Sequence, residues 1–486
     1  MSNVETNLIK PFPVAFSGHT LKYEIECICK IFLPMRKFTF LYDTTQLPAD
    51  AEEGAVLILE QLGEQSRFWV QVQYRGQVME QEQQFPACSP ETEKQLCEYR
   101  FSAMLFRLLE EITDLHPAWG LLTGIRPVKK VQPLLGQGLS MAEVCEIVHE
   151  KFWIAPELLA LVYDTAMVQQ PLLEKTPKHG ISLYVSIPFC PTRCSYCSFV
   201  SHSIAQAQNL IPAYLEKLCE ELKIWGQLVR EQELLVDTVY FGGGTPTSLT
   251  AAQLEQVLTA VQENFDLSHL REYCVEAGRP DTITSEKLET LRRFGVDRIS
   301  VNPQTMQDHV LETIGRKHTT AQRVEAFRMA RAAGFENINM DLIAGLPDDT
   351  PEGFHDTLEQ ILALDPDSIT VHALTLKRAA NLFAEGEQQV HNPVEQMVQE
   401  SMRRLPEHGY APYYMYRQKN TIDNQENVGY ARAGKESLYN ILIMDESQSI
   451  FGAGCGASTK LVEPCGTITR IQNYKFPKEN IRQIDQ

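Results

Sequence analysis

Six apolar strands alternate with helices between residues 181 and 375, and this repeat constrains the fold more than any other feature of the sequence. Alternation of this kind places the strands parallel in one sheet and joins them by right-handed crossovers. Six units are too few for a closed eight-stranded barrel, so the pattern predicts an α/β fold built as a (βα)6 partial TIM-type barrel. The strands are predicted at 181–187, 236–241, 272–276, 297–301, 337–342 and 368–373. The helices are predicted around 206–230, 251–264, 284–294, 319–333 and 353–363.

Residues 1–175 have a different pattern and predict a separate domain. Strand-like alternation gives way to helical spacing, and Ser140 with Glu143 has the spacing of a helix-capping box. The strands are predicted at 37–42, 55–59 and 67–74. We therefore expect an N-terminal α+β domain over 1–175, to which the sequence assigns no chemistry.

A small C-terminal α+β domain is expected over residues 376–486, after a barrel that spans 180–375. The segment combines a predicted helix at 393–408 with aromatic and basic stretches. Gly452–Ala457 formally matches the G-x-G-x-x-A pattern of dinucleotide-binding folds. That pattern requires a following helix, and Pro464 breaks the chain too soon, so we interpret the stretch as a glycine turn.

A short loop after the first barrel strand carries three cysteines, Cys190, Cys194 and Cys197. Pro188 ends the strand, and the C-x3-C-x2-C spacing places the three thiolates on one loop. Three thiolates can each bind one iron of a [4Fe–4S] cubane and leave the fourth iron open to a substrate or cofactor. A structural zinc ion usually needs two separated ligand pairs, and no second pair is present; zinc and inert thiols remain the alternatives.

Polar groups recur where the other predicted barrel strands end. Such groups gather at one rim of a βα barrel, because the carboxyl ends of parallel strands lie together. Each has a structural alternative when taken alone: a tight turn for the glycines, a capping or solvated role for the others. The groups are Gly243, Gly244 and Thr245 after the second strand, Glu276 after the third, Gln304 and Arg316 after the fourth, Asp341 on the fifth and His372 near the end of the sixth.

Composition limits the partners and the location that we expect. The formal net charge of −19 argues against a nucleic-acid partner and means that an anionic substrate needs a local basic patch. The cysteines outside the loop are scattered, as in a reducing compartment. No signal-peptide pattern and no membrane-length apolar run are present, so we expect a cytoplasmic protein without a membrane span.

The cysteine loop, with Phe189 before it and Tyr196 before the third cysteine, resembles the signature of the radical S-adenosylmethionine (SAM) superfamily. The order of the rim residues resembles the oxygen-independent coproporphyrinogen III oxidases. Further stretches resemble the branch known as coproporphyrinogen dehydrogenase. They are Leu122–Pro127, Glu276–Pro280, Tyr416–Asn420, Glu426–Tyr430 and Gly452–Gly456.

The resemblance implies a [4Fe–4S] cluster held by Cys190, Cys194 and Cys197, with Tyr184 also in the catalytic centre. It implies reductive cleavage of SAM to a 5′-deoxyadenosyl radical and oxidative decarboxylation of coproporphyrinogen III propionates to vinyl groups, giving protoporphyrinogen IX. A low-potential electron donor of the flavodoxin or ferredoxin type is implied as a partner. The implied SAM contacts are Tyr184, Tyr196, Phe199, Gly243, Gly244, Thr245, Glu276, Gln304, Arg316 and Asp341.

The chain departs from these oxidases at Ser186, where they have histidine, and at Phe199, where they have cysteine. Their substrate-closing N-terminal arm has no recognisable match in residues 1–175. Two alternatives therefore stay open: a radical SAM enzyme that methylates or opens haem, and a haem-binding or trafficking protein without turnover.

The tetrapyrrole is predicted to contact the C-terminal domain, because a flat apolar ring with acidic arms suits aromatic walls edged by cations. Tyr414 and Tyr416 should share one face of a strand. The cations predicted at the edge are Arg417, Lys419 and Arg378. The alternative is an edge strand whose charges are solvated.

Overall fold

The computed structural model describes residues 10–34, 36–197, 199, 202–316, 318–375, 394–418, 421, 424–463 and 466–483. The chain divides into two compact units. We call residues 1–124 with 134–161 the N-terminal unit, and residues 125–133 with 162–486 the barrel unit. In the described part of the chain, no helix combines the length and the apolar character needed to cross a membrane.

A five-stranded sheet forms the centre of the N-terminal unit. Its strands are β1 (Phe12–Ser17), β2 (Phe38–Tyr42), β3 (Gly54–Leu62), β4 (Gln65–Tyr74) and β5 (Gln77–Pro86). The order is β2-β1-β3-β4-β5, with β1 parallel to both neighbours and the remaining pairs antiparallel. The helices up to residue 175 are α1 (Tyr23–Phe32), α2 (Lys94–Thr113), α3 (Gln132–Leu135), α4 (Met141–Phe152) and α5 (Pro156–Leu173).

The three strands predicted from the N-terminal sequence are confirmed as β2, β3 and β4, whereas β1 and β5 were missed. β1 is buried at nearly every position, so it lacks the alternation that reveals a half-buried strand. β5 is a Gln- and Glu-rich edge strand with partly or fully exposed side chains, and such residues have low strand propensity. The predicted capping box is confirmed, since Ser140 and Glu143 exchange hydrogen bonds at the start of α4.

One eleven-stranded sheet organises the barrel unit. From residue 180 onward the strands are β6 (Gly180–Ile187), β7 (Phe189–Cys190), β8 (His202–Ser203), β9 (Leu235–Gly243), β10 (Glu272–Glu276), β11 (Arg298–Ser300), β12 (Ile338–Ala344), β13 (Ser368–Ala373), β14 (Ala411–Arg417), β15 (Glu426–Ala431), β16 (Ser449–Ala453), β17 (Ser458–Val462) and β18 (Ile468–Gln472). The helices are α6 (Ile204–Ala207), α7 (Ile211–Glu231), α8 (Ala251–Asn264), α9 (Ser285–Arg293), α10 (Asp308–Thr313), α11 (Thr320–Ala332), α12 (Pro351–Leu364), α13 (Val394–Glu407), α14 (Leu438–Asp445) and α15 (Pro477–Gln483).

The six predicted barrel strands are confirmed as β6, β9, β10, β11, β12 and β13. They lie side by side in this order and are all parallel, as the strand–helix alternation requires. The full order is β14-β15-β13-β12-β11-β10-β9-β6-β16-β17-β18, which is an open sheet and a partial barrel rather than a closed one. The predicted fold class is therefore confirmed.

The sheet extends beyond the six predicted strands at both sides. β16 pairs in parallel with β6, with Ser449 opposite Ile181, and β15 pairs antiparallel with β13. The strands of residues 376–486 thus hydrogen-bond into the same sheet as the barrel strands. The chain passes from one compact unit to the other after residues 124, 133 and 161. The domain borders near 175 and 375 stay predictions.

The predicted glycine turn after β16 is confirmed. Gly454 and Gly456 have φ of 89° and 72°, a left-handed conformation that glycine adopts without strain. The chain then returns as the antiparallel strand β17, with Ile450 opposite Lys460. No helix follows the turn within the described residues up to 463, so the geometry of a dinucleotide-binding loop is not formed there.

Candidate active site

The cysteine loop lies at the carboxyl end of β6 and is held from several directions. β7 and β8 pair with each other and close the base of the loop, with Cys190 opposite Ser203. The middle of the loop is fixed to the segment after α10, because the Ser195 amide donates to the carbonyl of Ile314 over 3.2 Å and the Thr192 hydroxyl to that of Gly315 over 3.2 Å. The loop therefore has a defined conformation from its own protein contacts.

The glycine-rich end of β9 packs directly against the cysteine loop. The Gly244 amide donates to the carbonyl of Ile187, and the Thr245 amide to that of Phe189, each over 2.8 Å. A Cβ at position 244 would lie 2.6 Å from the Phe189 carbonyl oxygen, which is closer than the two atoms can approach. Gly243 has φ of 101°. Glycine is required here for a close approach of two backbones, and the Thr245 hydroxyl reaches the Cys190 sulfur at 3.5 Å.

Ser186, where the sequence was noted to depart from the oxidases that it resembles, is buried under the glycine turn after β16. Its hydroxyl donates to the carbonyl of Cys455 over 2.7 Å. The Ser186 carbonyl accepts from the Tyr214 hydroxyl, which in turn accepts from the Cys455 amide. The small hydroxyl therefore joins β6 to the turn at 454–456.

Two arginines surround the Cys194 thiol. Burial alone would raise the pKa of Cys194, but the nearby guanidinium groups of Arg316 and Arg279 outweigh it and lower the pKa. The Arg279 Nη1 lies 3.8 Å from the Cys194 sulfur. Burial raises the pKa of Cys197 to about 11. The positive environment thus favours a thiolate at Cys194 in particular.

One of the three nitrogen atoms of the buried Arg316 guanidinium is left without an acceptor in the described part of the chain. Its Nη1 donates to the carbonyl of Asn302 over 2.8 Å, and its Nη2 to the Tyr196 hydroxyl over 3.1 Å. Among the residues that the structure describes, the buried Nε has no hydrogen-bond acceptor. An unsatisfied buried donor of a charged group is costly, so this atom is suited to an anionic ligand such as a carboxylate.

Glu276 at the end of β10 is a partly buried carboxyl group surrounded by aromatic rings. The Tyr240 hydroxyl donates to its Oε1 over 2.6 Å. Burial raises the pKa of Glu276 to about 7, the Tyr240 hydrogen bond lowers it, and the charge of Asp341 adds to the rise. The Tyr240 ring stacks on Tyr439 at 4.3 Å, and Tyr184 stacks on both at 6.2 Å.

Glu272, at the first position of β10, fixes Tyr439 beside this site. Its buried carboxylate accepts from the Ser437 hydroxyl and from the amides of Leu438 and Tyr439 at the first turn of α14. Those amides belong to the unpaired N–H groups at a helix start, where a carboxylate is favourable. The start of α14 is thereby tied to the sheet.

Gln304 and Asp341 lie next to each other across the rim. The Gln304 amide donates to the carbonyl of Asp341 over 2.9 Å, and the Ile343 amide donates to the carbonyl of Gln304. Gln304 has φ of 69°, which is uncommon for a residue other than glycine and occurs often at functional sites. The Asp341 Oδ1 accepts from the side-chain Nδ2 of Asn339 over 2.7 Å and lies 4.0 Å from the His372 Nε2.

The remaining predicted site residues have different surroundings. Phe199 exposes 62% of its side chain. Arg417 is only 5% exposed; its Nη2 donates to Asn424, and burial lowers its pKa to about 10. Tyr414 and Tyr416 stack on one face of β14 at 6.0 Å, and the Tyr416 hydroxyl lies 3.3 Å from His372. Arg378 and Lys419 lie outside the described residues.

Sequence reasoning missed three contributors to this rim. Arg279 lies in the Glu276–Pro280 stretch, where only the pattern as a whole was noted. Tyr240 and Tyr439 gave no signal, because aromatic residues on a strand and a helix are the ordinary content of a core. Their role at the site depends on pairings across the sheet that spacing alone does not reveal.

The chemistry of this rim fits a [4Fe–4S] cluster with a chelating SAM molecule. Three thiols stand on one fixed loop, an orphaned guanidinium donor suits the methionyl carboxylate, and Glu276 and Asp341 suit ribose hydroxyls. Within the part of the chain that the structure describes, no three His, Cys, Asp or Glu side chains converge on a single metal-ion position. In a cubane each cysteine binds its own iron, so the three thiols need not converge on one point.

Known proteins are similar to this chain over much of its length. The family model of the radical SAM superfamily matches residues 184–361. The chain is 40% identical over 385 residues to the oxygen-independent coproporphyrinogen-III oxidase-like protein HemZ of Bacillus subtilis (strain 168), covering 78% of this chain and 77% of that protein. The chain belongs to the HemZ-like family of radical SAM proteins. The cofactors of this superfamily are a [4Fe–4S] cluster and SAM.

Two further comparisons bear on this radical SAM protein. It is 35% identical over 282 residues to the heme chaperone HemW of Lactococcus lactis, covering 57% of this chain and 69% of that protein. Coproporphyrinogen III oxidase HemN from Escherichia coli, a radical SAM enzyme, superposes with a TM-score of 0.52 and 25% identity over 66% of this chain and 72% of that structure. The family thus includes relatives named for an oxidase and for a chaperone.

Proposed function

We propose that this radical SAM protein decarboxylates the propionate side chains of coproporphyrinogen III to vinyl groups, without oxygen, in the cytoplasm. The observation that carries the proposal is the meeting of four features at one rim: the cysteine loop, the glycine end of β9, the carboxyl of Glu276 and the orphaned donor of Arg316. When bound, the cluster and SAM supply a 5′-deoxyadenosyl radical that takes a hydrogen atom from the substrate.

In this proposal the side chains of the rim bind and orient the cofactor. Cys190, Cys194 and Cys197 hold the cluster. Arg316 donates its free Nε to the methionyl carboxylate, while Glu276 accepts hydrogen bonds from the ribose. Thr245, Gln304 and Asp341 complete the surroundings of the cofactor, together with Tyr184, Tyr196, Gly243, Gly244 and Phe199.

The substrate side of the proposal rests on the aromatic face of β14. Tyr414 and Tyr416 form a stacked wall, and the Tyr416 hydroxyl reaches His372, which lies 4.0 Å from Asp341. The aromatic surface therefore lies near Asp341, which is proposed to contact the cofactor. A tetrapyrrole bound on this surface would be close to the radical, as hydrogen abstraction requires. Arg417 remains a proposed partner for an acidic arm, and its burial means that the arm would have to enter the protein to reach it. A donor of the flavodoxin or ferredoxin type supplies the electron that generates the radical. The electron that leaves the substrate with carbon dioxide, as each vinyl group forms, passes to a separate electron acceptor.

A second candidate function is haem binding without turnover, and the similarity to heme chaperone HemW favours it. A third, methylation or opening of haem by the same radical, shares the cofactor site and differs only in substrate. The three candidates predict different products from the same reaction mixture.

The test is an anaerobic assay of the protein reconstituted with iron and sulfide. Reductant, SAM and coproporphyrinogen III are added, and 5′-deoxyadenosine is measured together with the tetrapyrroles. Deoxyadenosine in proportion to vinyl products is the expected result. Deoxyadenosine with unchanged coproporphyrinogen would reject this substrate and direct the assay to haem, and haem binding without deoxyadenosine would support the carrier.

A matched pair of variants makes the assay specific. Cys197→Ala removes a proposed cluster ligand and should abolish deoxyadenosine formation. Cys219→Ala removes a thiol of the outer helix α7 and should leave it unchanged. Equal activity in the two variants would contradict the assignment of the cysteine loop.

A further inference from the structure

Two buried cysteines of the N-terminal unit place their sulfur atoms in contact. The Sγ atoms of Cys88 and Cys97 lie 3.4 Å apart, and the residues are 5% and 0% exposed. Cys88 belongs to the segment between β5 and α2, and Cys97 lies in the first turns of α2. A disulfide has an S–S distance of about 2.05 Å, so these sulfurs need to approach by only about 1.4 Å to bond.

The surroundings of the two sulfurs are unequal. The Cys88 sulfur accepts from the Cys97 thiol and from the Arg100 Nη1, the latter at 2.9 Å. Arg100 is held in place by the rings of Phe85 and Phe68, which lie 4.2 and 5.5 Å from its guanidinium carbon. Because the guanidinium and the Cys97 thiol both donate to the Cys88 sulfur, we assign Cys88 as the nucleophile of the pair. Burial raises the pKa of Cys97 to about 12, so Cys97 keeps its proton while Cys88 reacts.

The backbone of Cys88 is anchored as well. Its amide donates to the Ser66 hydroxyl over 3.0 Å, and its carbonyl accepts from the Ser66 hydroxyl and from the Gln61 side-chain amide. Ser66 and Gln61 belong to the hairpin of β3 and β4. Cys88 is therefore held toward α2 by contacts that do not involve its sulfur, as a pre-positioned reactive pair requires.

We propose that Cys88 and Cys97 are a redox-active dithiol, which a low-molecular-weight disulfide converts into an intramolecular disulfide. Cys88 gives up its proton and its sulfur attacks one sulfur of glutathione disulfide, forming a mixed disulfide and releasing one glutathione. Cys97 then gives up its proton and attacks the Cys88 sulfur, releasing the second glutathione. Two electrons pass from the dithiol to the oxidant, and the two thiol protons end on the two glutathione molecules.

The pair belongs to neither the cysteine loop nor the rim at the end of the barrel strands, so the proposal is independent of the proposed activity. The sequence assigned no chemistry to residues 1–175, and the proposal locates a modification site there. The new bond would join the segment after the polar edge strand β5 to the start of α2.

The test treats the intact, reconstituted protein anaerobically with graded ratios of glutathione disulfide to glutathione, blocks free thiols and digests with trypsin. Cleavage after Lys94 puts Cys88 and Cys97 on separate peptides, 76–94 and 95–100. The expected product is these two peptides linked and lighter by two hydrogen atoms. In Cys97→Ser the reaction should stop at a glutathione adduct of Cys88, and in Cys88→Ser the Cys97 thiol should stay unmodified.

The role of the cation is tested with Arg100→Gln, in which the linked product should form about ten-fold more slowly. Three results on the wild-type protein would overturn the proposal. The first is a glutathione adduct without the linked peptide. The second is a linked peptide that forms no faster in the folded protein than in protein unfolded by urea. The third is no reaction of either cysteine while the partly exposed Cys145 becomes fully modified.

Discussion

Replacing Glu276 by glutamine should stabilise the cofactor-free protein in a manner that depends on pH. The folded protein raises the pKa of this carboxyl from 4.5 to about 7, chiefly by burial. The folded state therefore binds the proton more tightly than the unfolded state. Its contribution to the free energy of unfolding is fully present below pH 4.5 and is lost as pH rises to about 7. Glutamine stays neutral, so its contribution to the free energy of unfolding does not change over this pH range.

The size of the effect follows from the pKa shift. A rise from 4.5 to about 7 corresponds to about 3.4 kcal/mol at most. Because the Glu276 side chain keeps some contact with solvent, we expect about half of that value, roughly 1.5 to 2 kcal/mol above pH 8. The amide can still accept from the Tyr240 hydroxyl, so the hydrogen bond is not the source of the difference.

The assay is urea denaturation of the cofactor-free protein at pH 5 and pH 8, read by hydrogen exchange of peptides from β9 and β10. Because β9 and β10 belong to the barrel unit, exchange in these peptides reports the unfolding of that unit and not of the N-terminal unit. The variant should gain on the wild type about four times as much at pH 8 as at pH 5, while the exposed-site control Glu289→Gln should differ at neither pH. An equal difference between Glu276→Gln and wild type at both pH values would refute the raised pKa and its cause.

Three further predictions concern the same rim. Gly244→Ala should weaken SAM binding at least ten-fold in equilibrium dialysis, because its Cβ would collide with the cysteine-loop backbone, whereas Gly136→Ala, with open space around it, should bind normally. Arg316→Lys should raise the SAM dissociation constant about ten- to a hundred-fold, since an ammonium cannot make the forked contacts of a guanidinium; unchanged binding would remove Arg316 from the site. Glu272→Leu should lower the free energy of unfolding by about 2 to 3 kcal/mol and increase hydrogen exchange at the start of α14, and unchanged exchange there would show that the cap is dispensable.

The sequence predicted the six central strands and their rim because both follow from local patterns. A buried parallel strand is a short apolar run, and the helix that must follow it has its own period. The cysteine spacing, the glycine run and the acids at strand ends are likewise readable within a few residues. These features predicted most of the residues that the structure brings to one end of the sheet.

What escaped prediction depends on contacts of the folded chain that local residue patterns do not reveal, and some of these contacts join distant parts of the chain. The pairing of β16 with β6 and the capping of α14 by Glu272 join residues more than 160 positions apart. The polar strand β5 is stabilised by its neighbour β4 rather than by its own composition. Local spacing carries no information on such pairs, and the same holds for the sulfur contact between the sheet-anchored Cys88 and Cys97 of α2.

The position of β16 has a consequence for biosynthesis. β6 carries the cysteine loop, and one of its two edges is occupied by β16, which follows it by about 270 residues. During translation β6 therefore leaves the ribosome long before its second neighbour exists, and its open edge is free to pair with other chains. We expect the loop to reach its final conformation only after residue 453 has emerged. Insertion of the cluster would then be a late step in the maturation of this protein.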